Sequence, residues 1–131
     1  MKSNGYLEFP NNKYKVVINT DNQVAKELMK YLPISSKAQN IGGEIYFRAN
    51  GVDLEYDGTE TADFEIGDVV YWRSPDGEKI FSIAILYGNT SFGNWKSPRT
   101  FSPCVKIGKI VDDTYTLESI QSGEKVKFVL E

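Results

Sequence analysis

Tyr46 and Arg48 stand two apart in the run GEIYFR, so a strand would set them on one face and Ile45 and Phe47 on the other. A guanidinium beside aromatic rings on a sheet face can hold a carboxylate, a carbonyl or a flat ring. In DVVYWR, Tyr71 and Arg73 alternate with Val70 and Trp72, and Tyr87 ends the apolar run KIFSIAILY. A further set lies in GNTSFGNWKSPRTFSP, where Phe92, Trp95 and Phe101 sit beside Lys96 and Arg99. Irregular stretches of that length inside a compact domain tend to be functional. Rings next to cations can stack nucleobases. With two local cations and a formal net charge of -3, rings folded down as a lid are the favoured reading.

Other chemistry is thinly represented. The chain has no histidine, which removes Ser-His-Asp and Cys-His arrangements and the usual zinc sites. Its one cysteine, Cys104, excludes an internal disulfide and lacks a histidine base; it reads as a small buried hydrophobe. Asp53, Glu55, Asp57, Glu60, Asp63, Glu65 and Asp68 form an acidic stretch, and DLEYDG imitates the start of a calcium loop. The twelfth position, which needs a bidentate Glu, is Phe64, so a solvated acidic face is favoured and no metal is expected. Glu44 stands apart from that run at the mouth of GEIYFR, where a strand-edge charge is the plain interpretation.

These residues need strands to hold them. With 131 residues the chain reads as a single domain, 1–131, large enough to bury a core. KYKVVIN (13–19) has strand alternation, and residues of about 21–32 carry the one clear helix, with Val24, Leu28, Met29 and Leu32 on one face. Thr20 and Gln23 fit a capping box, and Pro33 ends the run. Beyond Pro33 come ISSKAQN, GEIYFRAN, VDLEY, DVVYWRS, EKIFSIAILYG, CVKIGKIV, TYTLESI and EKVKFVLE, all strand-like, with SPDG as a turn. Many short strands and one helix predict a mainly β barrel or sandwich. In the barrel, the bulky row Phe81, Ile83, Ile85 and Tyr87 is assigned to the core and the small row Ser82 and Ala84 to the floor of a groove or the seat of the helix. Trp72 is assigned to the core, while Tyr46, Arg48 and Tyr71 form the wetter set.

GGEIYF, then GDVVYW about twenty residues on, then FSIAILYG, resembles the cyclophilin-like family of small bacterial and archaeal proteins, over roughly Lys13 to Val111. The resemblance implies a closed eight-stranded β-barrel with a helix packed at one end. True cyclophilins isomerise X-Pro bonds with a strand arginine, an FMxQGGD-type segment, and a Trp and a His at the proline pocket. This chain has Arg48 after Phe47 but neither a histidine nor a GGD segment, so the likeness is to the fold, which does not fix function.

The leading expectation is therefore a non-catalytic binding module for a peptide or small polar molecule, without cofactor. Tyr46, Arg48, Tyr71 and Tyr87 would line it, and Phe92, Trp95 and Arg99 would cover it. A divergent prolyl isomerase using Arg48 is the alternative, and a single-stranded nucleic-acid-binding barrel using Trp95 and Arg99 is a second one. No stretch approaches a transmembrane helix, and the first residues lack the apolar core of a signal peptide, so a cytoplasmic protein with no membrane partner is expected.

Overall fold

The computed structural model describes residues 2–88, 90 and 98–131, without the side chains at 2 and 101. Its first element, β1 (Lys2–Glu8), pairs antiparallel with β2 (Lys13–Asn19), Lys2 facing Asn19 and Glu8 facing Lys13. β1 is a strand that the polar N-terminal sequence does not announce. In β2, Tyr14, Val16 and Ile18 point inward at every second position, while Lys13 and Asn19 stay in water.

Helix α1 (Gln23–Met29) is shorter than its apolar periodicity suggests. Its cap is Asn22 rather than Thr20, and the Asn22 side-chain oxygen accepts the Ala25 N–H at 3.1 Å. The helix buries Val24, Ala25 and Leu28 and packs against β2 and β8. Burying each of the two larger side chains contributes roughly 1.5–3 kcal/mol, which a helix of two turns needs in order to persist.

The remaining strands are β3 (Ile34–Asn40), β4 (Glu44–Arg48), β5 (Thr61–Asp63), β6 (Asp68–Arg73), β7 (Phe81–Leu86), β8 (Arg99–Ile110) and β9 (Lys125–Leu130). Eight of the nine close a ring in the order β1-β2-β8-β6-β7-β4-β3-β9, every neighbour antiparallel. The fold is thus a closed eight-stranded barrel with one α-helix. The ninth strand, β5, lies outside the ring against the first half of β8, with Thr61 facing Cys104 and Asp63 facing Arg99. Two sequence expectations fail locally. VDLEY is not a strand, although Val52 and Leu54 are buried. TYTLESI is a 3-10 turn at Tyr115–Ser119 that buries Leu117.

The ring closes where β2 meets β8, with Val16, Val17 and Ile18 facing Ile110, Lys109 and Gly108. A Cβ on Gly108 would sit 2.6 Å from the Val17 carbonyl oxygen, so only glycine allows this approach. The barrel is filled by side chains, among them Leu7, Ile18, Leu28, Ile45, Phe47, Val69, Tyr71, Ile83, Ile85, Ile107 and Phe128.

A second apolar layer lies on the outside of the ring. Phe64, Val70, Ala84, Leu86 and Cys104 cluster there, with Tyr46 and Trp72 packed against them. Hence β7 is buried on both faces at all six positions, which explains its nearly unbroken apolar sequence.

Candidate functional site

Strand register builds a groove on this outer face. Along β7, Ser82 lies opposite Arg48 of β4 and Trp72 of β6, and Ala84 lies opposite Tyr46 and Val70. Two small side chains are thus flanked by large ones on both sides, and the step in size makes a trough. Its free volume is about 160 Å³, and its walls are Ile41, Glu44, Tyr46, Arg48, Trp72, Ser82, Ala84, Thr100 and Cys104. Thr100 and Cys104 come from β8, so four adjacent strands contribute.

The polar groups of the groove have defined roles. Arg48 donates from Nη1 to Ser82 Oγ at 2.5 Å, and its guanidinium lies 5.2 Å from the centre of the Tyr46 ring. Trp72 donates from Nε1 to Ser102 Oγ at 2.5 Å, which fixes the indole as the opposite wall. Thr100 Oγ1 donates to the Ser102 carbonyl at 2.7 Å, and the Cys104 thiol lies 3.4 Å from the same oxygen. Burial pushes the Cys104 thiol up to about 12; the Thr100 hydrogen bond opposes this and the nearby Glu44 charge adds to it. The thiol is therefore neutral at physiological pH and is not a nucleophile. Glu44 is the acidic wall residue, and burial raises its carboxyl above the usual range. Among the described residues its side chain has no hydrogen bond or ion pair.

The residues expected at the site are only partly brought together. Tyr46 and Arg48 line the groove. Tyr71 does not: it is fully buried inside the barrel, and its hydroxyl donates to the Val52 carbonyl at 2.5 Å and accepts the Leu54 N–H at 3.0 Å. Trp72, assigned to the core, is the groove wall instead. Both faces of β6 are apolar, so alternation alone leaves its direction open. Tyr87 packs against the main core and donates to Asn40 Oδ1 at 2.7 Å, away from the groove lining. Arg99 is paired with Asp63 at 3.2 Å on the β5–β8 edge. Phe92 and Trp95 lie outside the described residues, as does Lys96. Glu44, Thr100 and Cys104 are wall residues that the expected set omitted. Glu44 could have been found from its place on the same face of β4 as Tyr46 and Arg48, whereas Thr100 and Cys104 come from β8, which does not pair with β7 and which nothing in the local sequence links to it.

The acidic stretch is distributed rather than convergent. Asp53 pairs with Arg73 at 3.1 Å, Glu65 with Lys109 at 3.6 Å and buried Asp68 with Lys106 at 3.0 Å. Among the described residues no three His, Cys, Asp or Glu side chains are placed to hold a metal ion. A broader depression of about 770 Å³ lies between β1, β3 and β9, walled by residues such as Glu8, Ser35, Lys37, Lys125 and Lys127. Its lysines are ordinary solvated strand residues, and the depression is an open surface rather than a trough. Among the described residues no helix is long and apolar enough to cross a membrane.

The comparisons agree with this architecture. The cyclophilin-like family model matches residues 6–129. No curated protein matches the chain. Among solved structures, the solution structure of a hypothetical protein from Archaeoglobus fulgidus is similar, with 26% sequence identity and a TM-score of 0.78 over 99% of this chain and 95% of that one. Since the family match runs from the first strand to the last, the chain belongs to the cyclophilin-like family.

Proposed function

We propose that this protein is a binding module that takes a small organic molecule, or one side chain of a peptide, in the outer groove of its barrel, and that it does so without catalysis. The observation that carries this reading is the groove itself: a trough of about 160 Å³ between the Tyr46 and Trp72 rings, floored by Ala84 and Ser82. Pockets of this kind gain affinity from apolar area and orientation from a few polar groups. Arg48 supplies a donor for a carbonyl at one end, and Glu44 the acceptor at the other. The groove offers no activated nucleophile, since the Cys104 thiol is held neutral and the chain has no histidine.

Amide chemical-shift mapping tests the proposal, with one-ring neutral fragments and short capped peptides as probes. Shifts are expected at Tyr46, Trp72, Ser82, Ala84 and Cys104, and to be lost in Trp72→Ala. Shifts confined to other surfaces, or none with any probe, would refute the reading. A protease-coupled proline-peptide assay addresses catalysis. Background rates are expected for both the wild type and Arg48→Ala, and an Arg48-dependent rate would replace the binding module with an isomerase.

A further inference from the structure

The groove is electrically lopsided. Glu44, Tyr46 and Arg48 share one face of β4, and the backbone positions of Glu44 and Arg48 lie about 13 Å apart along the strand at the usual rise per residue. Arg48 is already engaged, bonded to Ser82 and stacked on Tyr46. Glu44 has no such partner among the described residues. The Cys104 thiol, which feels the Glu44 charge, is neutral and offers no compensating charge. Apart from Arg48, the other walls carry no charge: Ile41, Ala84, Thr100 and the Tyr46 and Trp72 rings. A carboxylate with apolar walls around it favours a cation over an anion or a neutral group, because the attraction is less screened than in bulk water. Aromatic faces attract cations as well.

The size of the trough limits what accompanies that cation. A cavity of about 150 Å³ holds one benzene ring, and this one measures about 160 Å³. We propose that the groove selects amine-bearing ligands, with one protonated amine paired to Glu44 and one ring-sized apolar body lying over Ala84 between Tyr46 and Trp72. This assignment rests on the binding reading above and adds the chemical class of the ligand.

The test compares three probes of one shape and different charge: benzylamine, benzyl alcohol and benzoate. Each is titrated at neutral pH against the full-length chain and against Glu44→Gln, following amide shifts along β4 and β7 and the Trp72 indole N–H. Benzylamine is expected to bind wild type at least tenfold more tightly than benzyl alcohol, and benzoate more weakly than either. Glu44→Gln is expected to bring benzylamine down to the level of benzyl alcohol and to leave benzyl alcohol unchanged. If benzyl alcohol or benzoate matches benzylamine, or if Glu44→Gln keeps the amine preference, the ligand class is wrong and the groove still stands. If none of the three probes shifts groove signals, the groove reading and the ligand class fall together.

Discussion

Replacing Tyr71 with Phe removes one oxygen and separates two interpretations of this residue. In the structure the ring is fully buried, and its hydroxyl bridges the Val52 carbonyl and the Leu54 N–H, both buried residues of a segment without regular structure. Phe keeps the ring packing, so the loss is confined to the bridge. A buried polar group left without a partner costs about 1–3 kcal/mol, and two are stranded here, so about 2–6 kcal/mol is expected. For a chain of this length each kcal/mol lowers Tm by about 3–4 °C, which makes the drop roughly 6–24 °C. The same segment is also held by Arg73, whose Nη1 donates to the Leu54 carbonyl at 2.7 Å, so the fold itself should survive. The assay is thermal and urea unfolding by circular dichroism, with groove titrations on the same variant. Stability should fall while benzyl alcohol binding is unchanged. There is also an alkaline signature. Burial raises the Tyr71 phenol above its ordinary value of 10.0, so the folded state keeps the proton longer than the unfolded state does. Stability from this group is complete below that value and declines as pH rises above it, and the variant should lack that part of the decline. A Tm change under about 2 °C would show that the bridge does not hold the segment. A loss of groove affinity at unchanged stability would return Tyr71 to the binding site.

Gly108→Ala should destabilise the protein by about 1–3 kcal/mol, the usual cost of forcing atoms into a packed region. The added carbon meets the Val17 carbonyl rather than a yielding side chain, and hydrogen exchange should speed up first at the β2–β8 seam. Protection there equal to wild type would refute this account of closure. Glu44→Gln should be more stable than wild type at neutral pH, with the difference vanishing as pH falls below the unfolded carboxylate range. The folded carboxyl binds its proton more tightly than the unfolded one, so ionisation destabilises the fold as pH rises through that window. Unfolding curves at several pH values decide the matter, and a variant less stable than wild type at neutral pH would show that Glu44 has a stabilising partner.

Much of the architecture was legible in the chain because it follows from local alternation. KYKVVIN, ISSKAQN, GEIYF and EKVKFVL show their strands, and the rows Ile45/Phe47 and Phe81/Ile83/Ile85 show which face turns inward. A large row beside a small row on β7 already suggested either the floor of a groove or a seat for the helix. The first strand was not legible, because KSNGYLE has only one large apolar side chain that turns inward, Leu7, and it is held by pairing on both edges with β2 and β9. TYTLESI was misleading because a short β-branched and aromatic run fits a strand as well as a turn that buries one leucine.

The direction of β6 is where sequence stops and tertiary structure begins. Tyr71 and Trp72 are adjacent aromatics on a strand with apolar residues on both faces, so one-residue parity could not tell core from groove. The decision came from partners far along the chain: the Val52 carbonyl accepts from the Tyr71 hydroxyl, the Leu54 N–H donates to it, and Ser102 Oγ accepts from the Trp72 indole. Composition alone ruled out histidine chemistry, and spacing alone placed Tyr46 and Arg48 side by side. Only closure of the ring, with β5 and the start of β8 laid over its outside, brought Glu44, Trp72 and Cys104 around Ala84. A strand's own sequence states which residues share a face, but the elements that come to cover that face determine whether it becomes core, surface or site.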